Sequence, residues 1–195
     1  MIKTTLSLFI ICLVVSAALG FTYTGTKDTI AERSRLDAEN ARLEVLSGAD
    51  KFEKVENIDS ILKGKPDLEP VKEAYKALKS GAAAGYVFST SSKGYGGEIK
   101  ITVGIDKTGK ITGVKIGDNT ETPGLGSKAA DQPFMSQLLN ITPKEPLTVV
   151  KSNKSKPEQI DAISGATITS RAVVKAVQAA VGVSAELTRE GGSSK

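Results

Sequence analysis

From Thr4 to Thr26 the chain runs for 23 residues without a charge, and Leu6, Leu8, Phe9, Ile10, Ile11, Leu13, Val14, Val15 and Leu19 make that run apolar. As a helix rising about 1.5 Å per residue it would extend about 34 Å, enough for a hydrocarbon core of roughly 30 Å. The pattern predicts an uncleaved, single-pass transmembrane anchor over residues 1–26. A cleaved signal peptide is the competing reading, with Lys3 as its basic region and Ser16-Ala17-Ala18 near a cleavage site. The apolar run continues through Phe21 and Tyr23, which favours the anchor. Lys3 before the span and Lys27, Arg33 and Arg35 after it do not set an orientation.

The pattern then changes twice. Asp28 to Ser47 is rich in charge and helix formers, with Leu36, Leu43 and Leu46 at near-helical spacing. Such a helix either lies against a partner or the following domain, or stands as a solvated stalk. Gly64-Lys65-Pro66 breaks the chain, and Leu68 to Leu78 again reads as a helix, ended by Ser80-Gly81. Residues 27–80 are therefore expected to form a helical stalk or linker. Beyond it, Gly85 to Ser89 reads as a strand, and Ser91 to Gly97 as a glycine-rich turn. Ile99, Ile101, Val103 and Ile105 alternate as in a half-buried strand; a tight turn at Asp106 to Lys110 leads to its partner, Ile111 to Ile116. A short helix is expected over Pro133 to Asn140, a strand over Leu147 to Lys151, and a helix from Thr169 to about Val181. A compact domain over 81–190 and a flexible tail over 191–195 complete the plan.

Composition narrows the chemistry. The 195 residues leave room for one ordinary domain beyond the apolar stretch. Aromatics are 5% and Trp is absent, so the core should be aliphatic. A net charge of +4 is scattered among acids, with few aromatics between, which argues against nucleic-acid binding. The single cysteine, Cys12, lies in the apolar run, and there is no histidine. An internal disulfide is excluded, and the usual transition-metal ligand sets are missing. Redox chemistry would have to come from an organic cofactor.

Two loops carry candidate chemistry. In Asp161-Ala162-Ile163-Ser164-Gly165-Ala166-Thr167-Ile168-Thr169-Ser170, small residues and four hydroxyls run straight into the last helix. A helix start carries roughly half a positive charge and favours phosphate. Ser and Thr are also ordinary caps, so simple capping stands beside anion binding. The second loop is Glu121-Thr122-Pro123-Gly124-Leu125-Gly126-Ser127-Lys128. Alone it reads as a turn.

The spacing Asp161-x-x-Ser164-Gly165-Ala166-Thr167-x-Thr169 resembles the flavinylation motif of the FMN-binding domain family at all six fixed positions. The Thr-Pro-Gly-Leu-Gly loop, about forty residues earlier, is in the order found there. The resemblance covers roughly Gly81 to Val183. It implies that Thr169 carries FMN through a phosphoester, with Ser164, Gly165, Ala166 and Thr167 forming the turn around it. It implies that Glu121, Thr122, Gly124, Leu125 and Gly126 lie against the flavin ring: Gly124 and Gly126 by close backbone approach, Leu125 by covering an apolar part, Thr122 and Glu121 at the polar edge. Lys128 would meet the phosphate or stay solvated. Gly94-Tyr95-Gly96-Gly97 resembles a segment with an aromatic near the first strands, and is assigned mainly to structure. Threonine is a poor nucleophile without a base. The resemblance supplies a flavin transferase of the ApbE type, using FAD.

One span, a stalk and one such domain resemble the G subunits of Rnf ion-translocating electron-transport complexes. The fold class expected is α+β: a single N-terminal transmembrane helix, a helical stalk and a small antiparallel-sheet FMN-binding domain with packed helices. The resemblance implies a redox subunit, not catalytic alone, relaying electrons in ferredoxin/NAD-linked transport coupled to Na+ or H+. Its partners would be the membrane, iron–sulfur and flavin subunits of the complex, with the flavin domain extracytoplasmic. The alternatives are a C subunit of a sodium-translocating NADH:quinone oxidoreductase, a stand-alone extracytoplasmic flavoprotein, or a non-redox anchored scaffold.

Overall fold

In a computed structural model that describes residues 2–192, the chain divides after Asn40 into two units. Helix α1 spans Ile2–Val45, so the expected anchor and the charged segment after it are one helix. Among the described residues it is the one helix long and apolar enough to cross a membrane. Leu6, Leu8, Phe9, Ile10 and Ile11 are all more than half exposed, which suits lipid rather than water.

The second unit is a five-stranded antiparallel meander, β1 (Lys51–Lys54), β2 (Val71–Lys79), β3 (Ala82–Lys93), β4 (Glu98–Asp106) and β5 (Ile111–Ile116), in that spatial order. The alternation of Ile99, Ile101, Val103 and Ile105 turns all four side chains into the core. Helix α2 (Ile58–Leu62) lies between β1 and β2, and α3 (Gln132–Met135) with short 3-10 turns follows β5. Strands β6 (Thr148–Val150) and β7 (Gln159–Asp161) pair in parallel, and α4 runs Thr167–Gly192. Ala172, Val173, Ala176, Val177, Ala180 and Val183 of α4 are buried against the face of the sheet that presents Phe88 and Ile101. Small residues along that stripe bring helix and sheet close.

The stalk over 27–80 is corrected. Residues 51–79 supply two strands of the sheet, and the compact unit begins at Ala41. Leu68–Leu78 is not a helix but leads into β2. Val71, Ala74 and Ala77 are buried at three-residue spacing, which mimics a helix. The cause is a bulge between Val71 and Glu73, together with burial on both faces. Val71 and Ala74 join the core under α4, whereas Tyr75 and Ala77 meet Val45, Leu46 and Ala49 on the other face. Tertiary pairing overrides the helix propensity of Lys, Glu and Ala. The last helix starts at Thr167 and runs well past Val181, through Gly191 and Gly192 of the expected tail; Ser193 to Lys195 lie outside the described residues.

The end of α1 is seated on that second face. Helix termini leave carbonyls without intrahelical donors, and the carbonyl of Val45 accepts from Thr112 Oγ1 at 2.6 Å. Gly104 and Gly113 are paired across β4 and β5 beneath it. A Cβ on Gly104 would stand 2.3 Å from the Val45 carbonyl oxygen, and one on Gly113 2.4 Å from Val45 Cα. The Arg42 guanidinium lies 4.3 Å from the centre of the Tyr75 ring, within cation–π range. Glu44 pairs with Lys115.

Candidate functional site

The turn into α4 is built by its own hydroxyls. Gly165 has φ +77°, a conformation side chains resist. The N–H of Ala166 donates to the Ile163 carbonyl at 2.9 Å, closing the turn. Ser170 Oγ donates to the Ala166 carbonyl and accepts from the N–H of Ile163, both at 3.0 Å. Of the four hydroxyls in the segment, Ser170 is thus consumed in holding the turn, from inside the helix rather than as its cap. Thr169 is used otherwise.

Thr169 is 1% exposed, and its Oγ1 donates to Glu121 Oε2 at 2.6 Å, across 48 residues of sequence. The other carboxylate oxygen, Oε1, accepts from the N–H of Gly96 at 3.0 Å. Glycines wall the carboxylate in: a Cβ on Gly94 would lie 2.2 Å from Oε1, and one on Gly126 2.3 Å from Oε2 and 2.9 Å from Thr169 Oγ1. Thr120 Oγ1, donating to the Gly96 carbonyl at 3.0 Å, ties the loop before Glu121 to the same glycine turn. Three separate loops therefore converge on one hydroxyl–carboxylate pair.

Beside this pair opens a cleft of about 500 Å³, lined by Tyr95, Glu121, Thr122, Leu125, Gly126 and the run Gly165 to Thr169. Its volume lies in the range of small-molecule sites, roughly 300–1,000 Å³. Tyr95 is 72% exposed, Ile168 54% and Leu125 44%, and apart from residues of α1 they are the exposed large hydrophobics among the described residues. They offer apolar faces to a flat ring. Thr169, at the first turn of a 26-residue helix, lies where free N–H groups favour a phosphate. The residues present thus fit a flavin mononucleotide: apolar faces for the ring, a helix start for the phosphate and a hydroxyl to bond it.

Eight of the eleven sequence-derived candidates line this cleft: Glu121, Thr122, Leu125, Gly126, Gly165, Ala166, Thr167 and Thr169. Ser164, Gly124 and Lys128 are exposed and do not. Gly124 has φ +77°, has open space where a Cβ would go, and donates its N–H to Ser127 Oγ at 2.9 Å, so it shapes the turn. Two lining residues fall outside the expected set. Tyr95 reads in the sequence as mainly structural, although an exposed aromatic between glycines is the available signal. Ile168 occupies a variable position of the motif, which spacing alone cannot interpret. Glu121, expected at the ring edge, lines the cleft and also holds Thr169.

Comparison with known proteins agrees with this geometry. The model of the FMN-binding domain family matches residues 94–182, which contain the whole cleft. The chain is 37% identical over 193 residues to the G subunit of the Na(+)-translocating ferredoxin:NAD(+) oxidoreductase complex of Acetobacterium woodii, covering 96% of this chain and 93% of that one. It is 36% identical to the G subunit of the proton-translocating ferredoxin:NAD(+) oxidoreductase complex of Clostridium ljungdahlii, covering 91% and 88%. Among solved structures, NqrC of Shewanella oneidensis shares the fold, with a TM-score of 0.53 at 21% identity over 75% of this chain and 73% of that one.

Proposed function

We propose that this chain, which belongs to the family of G subunits of Rnf-type ion-translocating oxidoreductase complexes, relays electrons through FMN joined to Thr169 by a phosphoester. It is a membrane-anchored redox subunit of a multi-subunit complex and carries an FMN-binding domain. When bound, FMN supplies the electron-accepting and electron-donating chemistry; the chain positions it and excludes side reactions. Tyr95, Leu125 and Ile168 flank the ring, Thr122 offers a hydroxyl to its polar rim, and the start of α4 faces the phosphate. Relatives at nearly equal identity are named for different ions, so the coupling ion is left as Na+ or H+. The flavin domain stands on the extracytoplasmic side, a transferase of the ApbE type matures it, and the adjoining carriers are iron–sulfur and flavin subunits.

One observation carries the attachment: Thr169 is the hydroxyl at the junction of cleft, helix start and carboxylate. The NqrC alternative rests on fold alone. Thr169→Ala should fold yet show no flavin fluorescence on a denaturing gel, while Thr167→Ala keeps part of it. Covalent flavin persisting in the Thr169 variant rejects the assignment.

A further inference from the structure

We propose that Glu121 is the base that takes the Thr169 proton during flavin attachment, so that the acceptor chain carries a catalytic residue for its own modification. This inference rests on the reading of Thr169 as the attachment site.

A threonine hydroxyl becomes an effective nucleophile when a neighbouring group accepts its proton, and a nucleophile–base pair is recognised by hydrogen-bond reach plus a third group that orients the base. All three parts are present. Thr169 Oγ1 donates to Glu121 Oε2 at 2.6 Å, and the N–H of Gly96 fixes Oε1 at 3.0 Å. The side chains are 1% and 7% exposed, so the pair is held out of bulk water, where its mutual interaction is stronger. The chain has no histidine, and in the described structure no other carboxylate or lysine lines this cleft. With its proton directed at Glu121, the hydroxyl keeps its lone pairs for an electrophile. The same cleft that would hold the flavin phosphate borders that oxygen.

The step balances without redox change. Thr169 Oγ forms a bond to the flavin phosphorus, and its proton passes to the Glu121 carboxylate. The bond broken is the phosphoanhydride linking that phosphorus to a nucleotide, which leaves with the bond's electron pair as a nucleoside monophosphate. A free flavin phosphate would have to expel hydroxide, so the donor must be the dinucleotide form. The carboxylic acid then returns its proton to water. Thr167, also on the cleft, has no carboxylate within hydrogen-bond reach among the described contacts, which gives the site its choice between two threonines.

Glutamine keeps the size of Glu121 but offers one acceptor oxygen where the carboxylate offers two, so it gives up the hydrogen bond from either Thr169 or Gly96, and it is no useful base. The full-length chain, purified in detergent without flavin, is incubated with FAD and a flavin transferase, and attachment is timed by in-gel fluorescence. Glu121→Gln should slow attachment roughly a hundredfold, the usual contribution of a general base, while the variant stays folded at the assay temperature despite a lowered thermal midpoint. Glu121→Asp, which retains a carboxylate, should recover part of the rate, and formate should partly rescue Glu121→Ala. A glutamine variant attaching within about threefold of the unaltered chain, against that general-base benchmark, overturns the proposal. So does the absence of both aspartate recovery and formate rescue. Mass mapping of the flavinylated peptide in the unaltered chain separates the two readings: flavin away from Thr169 removes the site itself. Flavin on Thr169 with a fast glutamine variant removes only the base.

Discussion

The domain uses the same device on opposite faces of its sheet, with different results. On one face Gly104 and Gly113 let the end of α1 approach so closely that Thr112 reaches the Val45 carbonyl. On the other side Gly94 and Gly126 let the Glu121 carboxylate approach Thr169. Both contacts end in a threonine hydroxyl donating at 2.6 Å. In the first the acceptor is a helix carbonyl, which satisfies an orphan group and has no further chemistry. In the second the acceptor is a carboxylate beside a cleft, which can take a proton. Missing side chains create proximity; the acceptor decides whether proximity serves stability or reaction.

Substitution of the glycines should separate these outcomes. The largest loss of stability is expected from Gly113→Val, whose side chain would meet the Val45 main chain, a neighbour that cannot rotate away. Overpacking of this kind costs about 3 kcal/mol. Chemical denaturation should register it, while any folded fraction still accepts flavin. Gly126→Ala should do the reverse. Its Cβ meets the Glu121 carboxylate and the Thr169 hydroxyl, which shift more readily, so stability should fall by about 1 kcal/mol while flavin attachment drops at least about tenfold. Equal losses of stability in the two variants, with attachment intact in both, would break the comparison.

The smallest effect belongs to a turn outside both contacts. The Asp106 carboxyl is pushed up by burial, but the Thr108 hydroxyl and the N–H groups of Lys110 and Thr108 together hold it below its ordinary value. A carboxyl lowered on folding stabilises the protein above its unfolded value of about 3.9 and loses that contribution as pH falls through the folded value. Asp106→Asn should therefore lower stability near neutrality by well under about 1 kcal/mol, since the group is only partly buried and solvent screens it. The gap between variant and unaltered chain should close as urea midpoints are followed into acid.

The two faces also differ in how legible they were. The alternation from Ile99 to Ile105 and the two loop motifs announced the β4–β5 hairpin and most of the cleft. Neither motif revealed that Glu121 meets Thr169, because the convergence of loops 48 residues apart is set by tertiary packing that no local spacing encodes. The α1 seat was hidden altogether. Gly104 and Gly113 look like ordinary strand glycines until Val45 is placed on them, and β2 imitates a helix because its bulge and two buried faces disguise the strand period.

The strand order β1 to β5 follows the order of the chain, whereas the helix that bears Thr169 comes last. During synthesis the sheet can therefore pair strand by strand as it emerges, by short-range closures of the kind that fold fast. Glu121 follows the last strand of that sheet and precedes Thr169 by 48 residues, so the pair can close only once α4 has been made and has docked. A phosphoester at Thr169 that depends on Glu121 would therefore form only in chains whose α4 has docked beside the loop that carries the carboxylate.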